Sequence, residues 1–239
     1  MLNRALRLSL LCIGSCWLSP AAPPGALEAS SALGQPTQIA LLLGALSLLP
    51  ALIMSVTPFL RITLVLHFLR QALGTQTAPS NQALLGFALF LTAMVTQPLT
   101  GQLHEQSWAP YRAGEKTIEQ ALTDGAKPLR AFLLRFAREK DISLILEISK
   151  AKPPKTSDAL DLRVLVPAYM LSELRAGFQI GAVLFFPFLV IDLMVASVTL
   201  AVGMVQLPPA MLSAPFKVLL FVLVDGWNLV IGSLVRSFG

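Results

Sequence analysis

Residues 167–209 read PAYMLSELRAGFQIGAVLFFPFLVIDLMVASVTLAVGMVQLPP. The stretch begins amphipathic and then stays apolar from 178 to 206, longer than one ordinary crossing of a bilayer. A membrane helix needs roughly 20 apolar residues. A single acid, Asp192, interrupts the run. A carboxylate at that depth is costly and is usually paired or turned toward a wet interior. Small residues recur at helical spacing, Gly177 with Gly181 and Ser197 with Ala201. Such small-xxx-small pairs let helix backbones approach closely, so the segment reads as a membrane helix that packs on other helices. Glu173 and Arg175 near its start are expected at a polar boundary. Pro187, after Phe185-Phe186, predicts a kink or a break into two shorter helices.

Composition agrees with a membrane protein. Hydrophobic residues make up 55% and charged residues 13%, with a mean hydropathy of +0.70, whereas soluble domains carry about 25% charge. The net charge is +5. Charges crowd into residues 112–175, acids interleaved with bases. That is a solvated surface, not the one-sided basic face that nucleic acid requires. Both cysteines, Cys12 and Cys16, lie in the first segment. Removal of that segment would exclude disulfide, thiol and cysteine–metal chemistry. His67 and His104 have no partner at metal-ligand spacing. No activated nucleophile, phosphate-binding glycine loop or metal cluster is visible, so neither an enzyme nor a cofactor is expected.

The chain divides by pattern. Residues 1–29 read as a secretory signal peptide, with Arg4 and Arg7 before an apolar 8–18 and small residues at 19–22. A lipoprotein signal ending at Cys16 and an uncleaved anchor are competing readings. Residues 30–38 form a linker. Residues 39–99 hold a first hydrophobic pair. Its first arm, 39–56, contains Pro50; Arg61 and Arg70 follow and favour a cytoplasmic connection. The polar turn 74–81 leads to a second arm, 82–96, expected to end before Gln97-Pro98. Residues 100–166 are a polar helical insert. Thr117 and Gln120 fit a capping box opening a helix that Asp124-Gly125 is expected to end. Pro128 then suits the first turn of a new helix, with Leu129, Phe132, Leu133 and Phe136 on one face. Asp141 is expected to cap a further helix. Residues 167–239 form the second hydrophobic pair, with a Met/Pro turn at 203–215. The last arm, 216–238, places Lys217 near a helix start, where the dipole disfavours a cation, and is interrupted at Asp225-Gly226-Trp227. The expected fold is all-α: an integral membrane protein with four hydrophobic helical segments in hairpins and a helical insert.

Asp192, Lys217 and Asp225 are the ionisable residues inside apolar segments. Three readings are open: pairing between helices or subunits, a proton or ion relay, and snorkelling of Lys217 to the interface.

Four segments in order carry a resemblance: LRQALGTQTAPSNQALLGFALFLT (69–92), PLRAFLLRFAREKD (128–141), PAYMLSELRAGFQIG with FFPFLVIDLMVAS (167–197), and PFKVLLFVLVDGW (215–227). From about Leu49 onward the chain resembles the FliP family, the flagellar branch of the FliP/SctR proteins. The resemblance implies a core subunit of the flagellar type III export gate, at the basal body in the bacterial inner membrane with the insert on the periplasmic side. It also implies a homo-oligomer whose hairpins stack with FliQ-like and FliR-like subunits into a ring. FlhB-like and FlhA-like export components would be further partners. The ring would form the pore for unfolded flagellar proteins, with no catalysis. The turn bearing Met204, Gln206, Leu207 and Met211 resembles a pore plug, for which unbranched, repackable methionine is suited. The chain departs from the family pattern in this turn, which is poorer in methionine, and also at Ser55-Val56-Thr57-Pro58-Phe59 and Ala182. Rival classes are a virulence-type secretion gate subunit and a small ion-coupled transporter; a transporter of this size is expected to carry an internal repeat, and none is visible in the sequence.

Overall fold

The computed structural model describes residues 35–75, 78–151, 160–204 and 208–239, and these residues are helical with no strand among them. The expected leader and the larger part of the linker lie outside the described residues. Residues 35–38 of that linker are already helical, because α1 runs Gln35–Val56 with Pro50 inside it. The chain divides into two compact units, residues 1–49 and 50–239; the packing described below belongs to the second.

α2 (Phe59–Ala72) buries Phe59, Arg61, Ile62, Val65, Leu66, Leu69 and Ala72. The spacing of three and four makes one continuous helical seam. α3 (Asn81–Leu103) is capped by Ser80, whose hydroxyl accepts from Ala83 N at 3.3 Å. The second arm does not end before Gln97-Pro98. Pro98 is inside α3, and the helix continues through a π-helical turn, His104–Trp108, into α4 (Ala109–Arg112).

The π turn sets the partner surface for the insert. Ser107 Oγ donates to Ala121 O at 2.7 Å. α5 (Ile118–Phe136) starts on the expected capping box, with Gln120 N to Thr117 Oγ1 at 3.3 Å and Thr117 N to Gln120 Oε1 at 3.1 Å. It is a single helix through Asp124, Gly125 and Pro128, so the expected stop and restart are absent. Gly125 serves close approach instead: a Cβ there would stand 3.2 Å from Ser107 Oγ. Asp124 accepts from Lys116 at 2.8 Å and Lys127 at 2.9 Å, and these ammonium groups hold its carboxyl down to about 2. Leu129, Phe132, Leu133 and Phe136 share one apolar face over Leu165 and Tyr169.

α6 (Glu139–Ser149) is short and ends with Lys150 in the left-handed region at φ 51°. α7 (Leu162–Ala201) is capped by Asp161 and runs 40 residues unbroken through Pro167 and Pro187. The expected division at Pro187 does not occur. At 1.5 Å per residue α7 is about 60 Å long, twice the roughly 30 Å of a hydrocarbon core. α8 (Pro209–Leu223) and α9 (Gly226–Arg236) follow, bent by 67° at Asp225. Gly226 permits that bend, since a Cβ there would lie 2.2 Å from the Phe221 ring.

Among the described residues three helices are long and apolar enough to cross a membrane: Ile39–Val56, Asn81–Arg112 and Leu162–Ala201. The bent pair α8–α9 makes a fourth if it counts as one span. The four expected segments thus reduce to three continuous helices and one broken one.

Candidate functional site

Polar side chains meet α7 at three stations along its length. At the first, α6 docks through Asp141. The residue does not cap the helix; Arg138 occupies that position and Asp141 sits in the first turn. Its side chain is 1% exposed. It accepts from Ser172 Oγ at 2.7 Å and meets Arg175 at 3.2 Å. Ser172 Oγ in turn accepts from Arg138 N at 2.9 Å, and Arg138 Nη2 donates to Gln179 Oε1 at 2.8 Å.

The second station lies one residue further along α7. Glu173 is 0% exposed, not at a polar boundary, and Arg61 is 5% exposed. Arg61 Nη2 donates to Glu173 Oε1 at 2.5 Å. Arg61 is thus the buried partner of an acid 112 residues away. The signal was the helical period, since residues 61, 65, 69 and 72 share the buried side of α2.

The third station holds two of the three ionisable residues singled out above. Lys217 Nζ donates to Asp192 Oδ2 at 2.7 Å, and Ser213 Oγ donates to Asp192 Oδ1 at 2.5 Å. Ser213 and Lys217 are one turn apart on α8, so both point at the same carboxylate. Gly74, at φ 72°, ends α2 beside them; a Cβ there would sit 3.9 Å from Lys217 Nζ. Because α8 starts at Pro209, Lys217 stands in mid-helix and the dipole argument for its position falls. Asp225 does not join them. It is exposed at the α8–α9 bend, at φ 51°, accepting from Asn228 Nδ2 at 3.2 Å.

Gly177 and Gly181 face α2. A Cβ at Gly177 would lie 2.8 Å from Leu64 Cδ2, and one at Gly181 2.3 Å from Phe68 Cδ2. Ser197 and Ala201 are exposed, and Ser197 Oγ bonds back to Leu193 O at 2.7 Å. Met204 is exposed beyond the end of α7 and Met211 is exposed in the first turn of α8, so the turn expected at 203–215 is already helix from Pro209 onward, while Gln206 and Leu207 lie outside the described residues. Among the described residues no group of three or more His, Cys, Asp or Glu is set to hold a metal ion.

A sequence model of the FliP family matches residues 42–234, which contain all three stations. The chain belongs to the FliP family. It is 47% identical over 201 residues to the flagellar biosynthetic protein FliP of Pectobacterium carotovorum subsp. carotovorum, covering 84% of this chain and 78% of that protein. It is 41% identical to the FliP of Caulobacter vibrioides over 244 residues, covering 99% and 92%. The FliP of Bacillus subtilis is 41% identical over 201 residues, covering 84% and 91%. In this FliP-family chain, Asp192 and Lys217 bridge α7 and α8.

Breaking that bridge has a defined consequence. Asp192→Asn leaves the 5%-exposed Lys217 without its counter-charge. Because the Asp192 side chain is 30% exposed, the expected loss is discounted for screening to about 1–3 kcal/mol. The thermal midpoint of the protein in detergent reads it, and Asp192→Leu with Lys217→Met should recover much of it. Proton flux in proteoliposomes separates the roles. An unchanged midpoint with altered flux would replace the structural bridge by a relay.

Proposed function

We propose that the chain is a core subunit of the flagellar type III protein export gate. With FliQ-like and FliR-like subunits, several copies form the pore through which unfolded flagellar proteins leave the cytoplasm, and FlhB-like and FlhA-like components are neighbours. The reading rests on family membership, in which each relative named above is a flagellar biosynthetic protein. The observation that carries it is the surface of α7. Along a helix about 60 Å long, Phe178, Val183, Phe186, Leu193, Met194, Val198 and Leu200 are all exposed. A lipid core of roughly 30 Å covers half of such a helix. Neighbouring subunits cover the rest, consistent with hairpins stacked into a ring. Placing the insert in the periplasm and the methionine-bearing turn toward the cytoplasm completes this arrangement. The turn around Met204 and Met211 closes the pore, since methionine repacks around varied cargo.

Native mass spectrometry of the tagged protein, co-expressed with its genomic neighbours and extracted in mild detergent, tests the proposal. A homo-oligomer retaining small membrane partners is expected. A stable monomer or dimer without partners overturns it.

A further inference from the structure

The guanidinium of Arg61 has a second set of partners, at the end of the chain. Arg61 Nη1 donates to Ser237 O at 3.3 Å and to Ser237 Oγ at 3.1 Å. Its Cζ lies 4.1 Å from the centre of the Phe238 ring. That ring stands edge to face with Phe136, centroids 5.7 Å apart. Phe238 is 6% exposed. Three elements thus meet at Ser237 and Phe238, which follow α9: Arg61 of α2, Phe136 of α5 and the end of α9 itself.

Phe136 is the last residue of α5. The joint to α6 follows at once: Ala137 N donates to Leu133 O at 2.9 Å, and Arg138 N to Ser172 Oγ on α7 at 2.9 Å. Phe136 packs against both hydrophobic clusters, the one built on α2, α3, α8, α9 and Phe188 of α7 and the one built on the insert and the start of α7. Arg61 divides its charge between Glu173 on α7 and the tail. Withdrawal of the tail therefore removes two acceptors and an aromatic face from a buried cation. It also strips the outer side of Phe136. A buried cation–π contact is stronger than an exposed one, because water does not compete for the charge.

We infer that Ser237 and Phe238 form a latch: docking of these two residues, just beyond α9, over Arg61 and Phe136 holds the α5–α6 joint seated on α7. The latch couples the last hydrophobic pair to the polar insert, and it is independent of what the assembled protein carries.

Hydrogen exchange of the full-length protein in detergent, followed peptide by peptide, tests this with Phe238→Ala, Phe238→Leu and Phe238→Tyr. In Phe238→Ala, exchange across residues 133–141 is expected to rise by about tenfold, as for a local opening that the tail had suppressed. Phe238→Leu keeps apolar volume without a ring face and should fall between. Phe238→Tyr keeps the ring and should stay near the parent protein. Residues 188–200 of α7 should be unchanged throughout. A rise confined to residues 230–239 overturns the latch, because the tail then frays alone. An equal rise along all of α7 in both Phe238→Ala and Phe238→Leu overturns it too, because Phe238 is then a general core residue.

Discussion

Glu173→Ala is expected to be among the most damaging single substitutions in the chain, costing about 3–5 kcal/mol. Arg61 is left 5% exposed with its acidic partner gone. A charge so enclosed cannot recover its hydration, and α2 is held against α7 along its whole buried seam, so the helix cannot turn the guanidinium outward. Domains are stable by only about 5–15 kcal/mol, so a large share of the total is at stake. Glu173→Gln should be nearly as severe, because it keeps the shape and a hydrogen bond but not the counter-charge. The double variant Arg61→Met with Glu173→Leu should recover most of the loss, since replacing both members of a buried pair by apolar groups is often close to neutral. Thermal midpoints of the four proteins in detergent make a double-mutant cycle. If Glu173→Ala costs less than about 1 kcal/mol, the buried pair is not what holds α2 to α7.

Gly181→Ala is expected to cost about 1–3 kcal/mol through overpacking. Its Cβ would lie 2.3 Å from Phe68 Cδ2. The Phe68 ring cannot swing away freely, because Phe178 packs edge-on against it at 5.3 Å. Gly177→Ala, with its conflict at the flexible end of Leu64, should cost less. Phe68→Leu placed in the Gly181→Ala background should return part of the loss by vacating the contact. Gly86→Ala is the control. It lies inside α3 with nothing within 4 Å of the added atom, so helix propensity alone predicts a gain of about 0.5–1 kcal/mol. Equal midpoints for Gly181→Ala and Gly86→Ala would show that the close approach of α2 and α7 does not limit stability.

The candidate site was legible in unequal parts. Asp192 and Lys217 stood out because charges in apolar runs are rare, and the structure brings the two together at 2.7 Å. Asp225 stood out for the same reason but occupies an exposed bend. A break in an apolar run is a local event, and a charge there can serve the bend and not a partner. Glu173 and Arg175 looked alike at the start of α7. One is fully enclosed and the other 43% exposed, because neighbours two apart on a helix face different directions. The helix boundaries failed at proline and glycine. Pro98, Pro128 and Pro187 each lie within a continuous helix, as does Gly125. Pro128 is buried whereas Pro98 and Pro187 are exposed, so a proline's presence alone does not mark a helix boundary here, and at Gly125 the missing side chain is what lets Ser107 approach.

What the sequence by itself determined follows from quantities that sum along the chain. Apolar length, charge density and helical period give an all-helical protein with helices long and apolar enough to cross a membrane, and four ordered segments place it in the FliP family. What only the tertiary structure decided depends on partners far apart in sequence. Arg61 with Glu173, Asp141 with Ser172 and Arg175, and Phe238 with Arg61 and Phe136 are set by how α2, α5, α6, α7 and α9 converge. Burying a charge is unfavourable until its partner arrives, so no window of sequence around either residue contains the reason for it.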